Sequence, residues 1–222
     1  MGDILDIITS RKSIRRYTTD PIPDEMIDKI LEAGRWAPTG ENSQPWRLIV
    51  VKDPETKKAI GELGRIFTGS WATADYCLGR IQSRFAKIED PEQRERVLKI
   101  MYSGQVSEFP GKAAVIIVVL GSLREAAGPH DIPYDLSACI ENMILEAHSL
   151  GIGSCWVHAP CGSTRRVVKL KELLKIPAGM GDYKALAIVA FGWPLEARKH
   201  PRPKMPLEEI VYWEEFGNRE RR

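Results

Sequence analysis

Apolar residues recur along this chain at two spacings, and the alternation between the two lays out its elements. Ile4, Leu5 and Ile8 predict a short opening helix. Pro23 with Asp24 and Glu25 opens a second helix, whose apolar face is Ile27, Ile30, Leu31 and Gly34. A breaker-rich loop from Pro38 to Pro45 leads into an extended run, Trp46–Val51 (WRLIVV). From Pro54 to Phe109 the pattern is mostly helical and less apolar, with charged stretches such as EDPEQRERVLK, and reads as a mobile excursion over a site. Ala113–Leu120 (AAVIIVVL), bounded by Gly111 and Gly121 and rich in β-branched residues, predicts a buried central strand.

The most regular helix spans Asp135–Leu150. Leu136, Cys139, Ile140, Met143, Ile144, Ala147 and Leu150 form its stripe, with Asp135 expected as N-cap and Gly151 just past the end. A short strand at Ser154–Val157 follows, then a helix near Thr164–Leu174 capped by Ser163, then a strand at Ala185–Phe191. Helices and strands interleave, which implies a layered sheet with helices on its faces. After Gly192, Pro194, Pro201, Pro203 and Pro206 forbid a central strand or helix, yet Ile210, Val211, Tyr212, Trp213 and Phe216 are apolar. Such an arm cannot bury these groups against itself and is expected to wrap along another surface, such as that of a second subunit.

At 222 residues, 43% hydrophobic and 28% charged, the chain is neither disordered, collagen-like nor a coiled coil. Its longest apolar run, the eight residues of Ala113–Leu120, falls far short of the ~20 that span a bilayer. The opening MGDILDIITSRK is acidic where a signal peptide is basic, and Asp6 breaks the myristoylation pattern. The expectation is a soluble, cytoplasmic protein. Cys77, Cys139, Cys155 and Cys161 form no C-x-x-C pair and have no His at ligand spacing, which argues against a disulfide framework and against a metal site. Thirty-two Lys and Arg against 30 Asp and Glu leave a net charge of +2, too little for a general nucleic-acid binder.

Four stretches carry candidate chemistry. Arg11, Lys12, Ser13 and Arg15, in RKSIRRY, form a compact set of donors suited to phosphate oxygens, or else a solvated basic turn at the end of the first helix. Pro38, Thr39, Asn42 and Gln44 lie on a loop stiffened at both ends by proline, with side chains that donate and accept; a heterocycle edge or an ordinary turn would use them. Gly151-Ile152-Gly153-Ser154-Cys155-Trp156-Val157-His158 lets backbone approach a planar ligand, or packs Cys155 in a helix-to-strand turn. Arg202 and Lys204 stand in PRPKMP, on the proline-rich arm. No nucleophile elbow, Walker A sequence or H-E-x-x-H is present. His148, between apolar neighbours of the long helix, reads as packing rather than chemistry.

In this order, RKSIRRY, APTGENSQPWRLIVV, AHSLGIGSCWVH and AFGWP with PRPKMPLEEIVYW, the stretches resemble the FMN-dependent nitroreductase family over nearly the whole chain. The segment 64–109 matches no block. The resemblance implies an α+β fold: a three-layer α/β/α sandwich around a mostly antiparallel sheet, one domain over 1–222 with a helical excursion at about 64–110 and an arm from about 193 exchanged in a homodimer. It also implies FMN at the subunit interface, reduced by NADH or NADPH and reoxidised in ping-pong fashion by a small acceptor such as a nitroaromatic or quinone. By the same resemblance Arg11, Lys12, Ser13 and Arg15 hold the phosphate, ribityl chain and pyrimidine edge, and Arg202 and Lys204 complete the phosphate pocket. Pro38, Thr39, Asn42 and Gln44 line the ring, some from the partner chain; Ser154, Trp156, Val157, His158 and Ala159 face the isoalloxazine. No catalytic side chain is expected, because the cofactor carries the chemistry. Alternatives on the same fold are a flavin-fragmenting enzyme and a reductive dehalogenase, and a non-enzymatic flavin- or nucleic-acid-binding protein stands outside them. The flavin-fragmenting branch carries an acidic residue where Ser13 stands, which ranks it lower.

Overall fold

The computed structural model describes residues 3–77, 83, 85–86, 88–177, 182–195 and 204–220. In chain order the elements are α1 (Ile4–Ser10), α2 (Asp24–Arg35), β1 (Trp46–Val51), α3 (Pro54–Cys77), α4 (Pro91–Ser103), β2 (Val115–Ser122), α5 (Ile132–Ser149), β3 (Gly153–Val157), α6 (Thr164–Leu173), β4 (Tyr183–Gly192) and the single turn α7 (Leu207–Ile210). The strands form one sheet in the order β1-β2-β4-β3, every neighbouring pair antiparallel. None of the described helices is long and apolar enough to cross a membrane.

β2 and β4 occupy the centre, and every residue of β2 is buried. Val115, Ile117, Val119, Ala187, Val189 and Phe191 point to one face, where α2 and α5 cover them; Ile116, Val118, Leu120, Ala185 and Ile188 point to the other, with Ile60 and Leu63 of α3 and Leu170 of α6. The sheet therefore has helices on both faces, the three layers expected. A bulge places the unpaired Leu186 between Ala187, opposite Val119, and Ala185, opposite Leu120. Two alanines that a regular strand would put on the same face thus enter opposite cores.

Tertiary packing moves element boundaries away from the periodicity. β2 starts two residues later than expected and runs through Gly121, because α5 lies directly on that glycine: an added Cβ would stand 2.4 Å from Ile132 Cγ2 and 3.1 Å from Leu136 Cδ1. The glycine that looked like a strand stop is a packing site. α5 begins at Ile132, with Asp131 at the cap position and Pro133 in the first turn, so Asp135 is not the N-cap but a buried residue inside the helix. Gly151 follows the helix in left-handed backbone at φ 77°, as expected of a terminating glycine. α3 is not an excursion at its start, because Ile60 and Leu63 build the second core. Ser163 sits at the cap of α6 but its side chain makes no capping hydrogen bond.

α2 crosses α5 at Gly34, where a Cβ would meet Met143 Cγ at 2.7 Å and Cys139 Sγ at 3.1 Å. Burial pushes the Cys139 thiol up to about 12, and does the same to Cys161 in the opposite layer. The arm from 204 onward has exposed Met205, Leu207, Ile210 and Phe216, the last 89% accessible; Tyr212 and Phe216 touch only locally, with ring centroids 4.4 Å apart.

Gly121→Ala is expected to destabilise the protein by about 1–3 kcal/mol, since Ile132 is fully buried and has nowhere to retreat. Urea unfolding of the variant against the wild type measures this.

Candidate active site

At Arg11 the chain leaves α1 and turns extended, and residues 13–18 then dock against two strands. The Ile14 amide donates to Ser154 O at 2.8 Å, in a parallel bridge between Ser13 and Ser154. Further on, Thr18 N–H donates to Trp193 O at 2.9 Å and Leu195 N–H to Arg16 O at 3.0 Å, around an antiparallel bridge of Tyr17 and Pro194. Two glycines permit the approach. A Cβ on Gly153 would stand 2.9 Å from Ile14 Cβ, and one on Gly192 would stand 2.7 Å from Tyr17 Cδ1. Gly153 thus makes room for Ile14 of its own chain; the space its missing side chain leaves is not open to a planar ligand. The Tyr17 hydroxyl donates to Ile14 O at 2.6 Å, and burial drives its pKa upward.

This docking gathers a polar cluster at the β3 edge. The Ser13 hydroxyl bonds the Cys155 thiol. Burial pushes that thiol up, opposed by the Arg15 charge, the Ser13 bond and the Arg11 charge. Cys155 is buried as expected. The Arg15 guanidinium lies 5.8 Å from the Phe109 ring centroid, and Arg11 has Glu141 at 3.9 Å, a distance that leaves most of its donors to other partners. Along β3, Ser154 and Val157 are buried and Trp156 is 38% exposed. His158 is exposed, and its Nδ1 stands 3.0 Å from the carbonyl of the bulged Leu186. A carbonyl only accepts, so Nδ1 is the donor in this contact. Ala159 opens the short turn to Cys161.

Behind the cluster, the Ser10 hydroxyl lies 2.8 Å from His148 Nε2. His148 is thus packing of a specific kind, a tie between α1 and the end of α5. Burial lowers its pKa first, and the Arg11 and Lys12 charges lower it further.

The loop before β1 is built differently. Glu41, Asn42 and Gln44 all hold positive φ, at 54°, 55° and 49°, a conformation that costs a non-glycine residue roughly 1–2 kcal/mol each. Within the loop Gln44 N–H donates to Thr39 Oγ1 at 3.2 Å, Gln44 Nε2 to Asn42 O at 3.2 Å, and Ser43 N–H to Gly40 O at 3.0 Å. Pro38, Asn42 and Gln44 are exposed. Strain of this kind concentrates where a backbone shape serves a function.

The model of the nitroreductase family matches residues 8–193. The chain belongs to the nitroreductase family. It is 29% identical over 217 residues to an NADH dehydrogenase of Thermus thermophilus, with 95% of this chain and 97% of the relative covered. It is 34% identical to iodotyrosine deiodinase 1 of Sus scrofa over 94% of this chain and 68% of the relative. An FMN-dependent nitroreductase structure from Clostridium difficile superposes with a TM-score of 0.69 at 22% identity, over 96% of this chain and 99% of that one, and shares the fold.

In this nitroreductase-family chain the sheet brings some predicted residues together and keeps others apart. Ser13 is bridged to Ser154, the Arg11 and Arg15 charges reach Cys155, and the Lys12 charge reaches His148 behind them. The loop of Pro38, Thr39, Asn42 and Gln44 does not join them. It enters β1 at Trp46, opposite Gly121, whereas Ser154 pairs with Phe191, which pairs with Val115. Ser154 is thus six residues of β2 and three strand spacings from the loop's exit, roughly 20 Å along the strands and 14 Å across, and Val157, level with Val118, is three residues and the same three spacings away. The family match ends at 193, before the arm. Lys204 is exposed on that arm, and Arg202 lies outside the described residues. The sequence reading missed Phe109 beneath Arg15, which carries no local signal, and the burial of Asp135, which stands one turn before Cys139 on the buried stripe.

Because the folded chain binds a proton at His148 less readily than the unfolded chain, the stability tied to its neutral form is present above pH 6.5 and lost as the pH falls below it. Comparing urea midpoints at about pH 7.5 and 5.5, the wild type should lose more stability on acidification than His148→Gln.

Proposed function

We propose that the chain is an FMN-dependent oxidoreductase that takes hydride from NADH or NADPH and delivers it to a small acceptor such as a nitroaromatic or a quinone, with the two half-reactions in ping-pong order. The observation that carries this is the docking of Ser13 against Ser154, which sets cations and a hydroxyl beside a buried edge strand whose tryptophan, Trp156, is part-exposed. That donor set fits FMN: guanidinium forks and an ammonium match a phosphate, and the hydroxyl matches a ribityl chain. Arg11, Lys12, Ser13 and Arg15 bind the phosphate, ribityl chain and pyrimidine edge, joined by Arg202 and Lys204 from the arm. Ser154, Trp156, Val157, His158 and Ala159 face the ring system and limit water on that side. When bound, FMN supplies hydride uptake and release at N5. The cations hold negative charge on the reduced ring without needing to move a proton, so no side chain serves as acid or base.

The separation of the loop from this cluster supports a homodimer. Pro38, Thr39, Asn42 and Gln44 lead into β1, at the sheet edge opposite β3, and complete the site of a second copy instead. The exposed apolar residues of α1 (Ile4, Leu5, Ile8) and of the arm favour the same assembly, since each lacks a covering surface among the described residues. The three buried free cysteines suit the reducing cytoplasm, where we place the protein. Reductive dehalogenation is the second reading, favoured by the 34% identity to the deiodinase.

Purified protein is expected to be yellow and to bleach anaerobically with NADH or NADPH. An acceptor panel of nitroaromatics, quinones and halogenated phenols then separates the two readings; colourless protein that ignores added FMN refutes both. Arg15→Ala is expected to weaken FMN binding at least tenfold, about 1.4 kcal/mol or more, by loss of a charge-assisted contact. Thermal unfolding of its apo form should move little, and unchanged FMN affinity by fluorescence titration refutes the assignment.

A further inference from the structure

We propose that Phe109 is a positioning residue of this site: its ring supports the Arg15 guanidinium and presents it, charged and with its donors free, to the bound cofactor. This rests on the FMN reading above and extends it to the helical segment before β2, outside the residues given to the phosphate and the ring. The Arg15 guanidinium stands 5.8 Å from the centroid of the Phe109 ring, within the range at which an aromatic face attracts a cation. Arg35, Arg47, Arg65 and Arg124 each lie against a carboxylate, whereas Arg15 has none among the described residues. The difference matters for binding. A carboxylate would orient Arg15 but offset its charge and occupy its N–H groups. A ring orients the guanidinium by its face and leaves the N–H edge for an incoming anion.

Each partner is placed by backbone that is fixed independently of the other. Arg15 follows Ile14, whose amide is seated on Ser154 O, and precedes Tyr17, whose hydroxyl returns to Ile14 O. Phe109 opens the turn Phe109–Lys112, and the backbone leading into it lies directly on α3. A Cβ on Gly61 would stand 2.9 Å from Glu108 O, and one on Gly64 would stand 2.9 Å from Ser107 O. Side chains fasten the same contact, with Thr68 Oγ1 2.6 Å from Ser107 Oγ and Arg65 Nε 3.4 Å from Glu108 Oε1. Phe109 itself packs half-buried against the core on that face of the sheet, and the next residue, Pro110, is buried. The ring is therefore set before any ligand arrives, and Arg15 loses less freedom when the ligand does.

Fluorescence titration of FMN into the wild type, three single variants and one double variant tests this. Phe109→Leu keeps an apolar side chain against the core but has no ring face. It should weaken FMN binding about two- to fivefold, with little change in the melting temperature of the apo protein. Phe109→Tyr keeps the ring and should restore the affinity. With Arg15→Ala already in place, Phe109→Leu should cost no further affinity, because the ring then has nothing to position. Wild type that binds no FMN sinks the functional reading, and this role with it. Where the wild type does bind FMN, three results overturn the role and leave that reading standing: unchanged affinity in Phe109→Leu, a Phe109→Tyr as weak as Phe109→Leu, or an equal further loss on Phe109→Leu in the Arg15→Ala background. A ring that serves packing alone gives the last of these, since its removal then acts whatever residue stands at 15. Should Phe109→Leu not fold, Phe109→Met, likewise apolar and without a ring face, takes its place in the same comparisons.

Discussion

The hydrogen bond from the Ile14 amide to Ser154 O is the contact on which the candidate site depends. It belongs to a strip of backbone that runs from the edge of β3 to the end of β4, and the strip is seated because Gly153 and Gly192 offer no side chain to block Ile14 and Tyr17. Backbone-to-backbone seating leaves the side chains of residues 11–15 free to be chosen for charge. Without it, Arg11 and Arg15 would be separate surface cations in competition with water. With it, they act on the same thiol, Cys155, as the hydroxyl of Ser13. An unpaired edge strand is a liability in a sheet, and here the strip covers part of it.

Helix α5 anchors the basic half of the candidate site. Its C-terminal end binds α1 through His148 and Ser10, its middle faces Arg11 through Glu141, and its first turns carry the buried Asp135. The apolar stripe between these points is rigidly packed against β2 and β4. A single stiff element thereby positions α1 and the basic stretch that follows it.

The strained loop and the buried Asp135 are two local costs that the fold carries. Left-handed glutamate, asparagine and glutamine, and a carboxylate with one oxygen unpaired, are each unfavourable by themselves. Stability is spared elsewhere by a central sheet whose two inner strands are buried on both faces, with a bulge at Leu186 that serves both cores at once. That bulge also presents the carbonyl that fixes the proton on His158 Nδ1.

Periodicity alone determined much. The stripe of Leu136 to Ala147, the run WRLIVV and the β-branched run before Gly121 place α5, β1 and β2 within a few residues, because burial on one face or on two leaves a fixed repeat in the sequence. The charged and small residues of the four stretches marked the candidate site for the same local reason: phosphate recognition needs particular residue types close together. Tertiary structure decided what those residues face. Gly153 reads as an opening for a ligand until Ile14 is seen filling it, Gly121 reads as a strand stop until α5 is laid upon it, and Asp135 reads as a helix cap until Pro133 carries the helix start back to Ile132. Each is a contact between segments far apart in the chain, and such contacts leave no period in the sequence that would announce them.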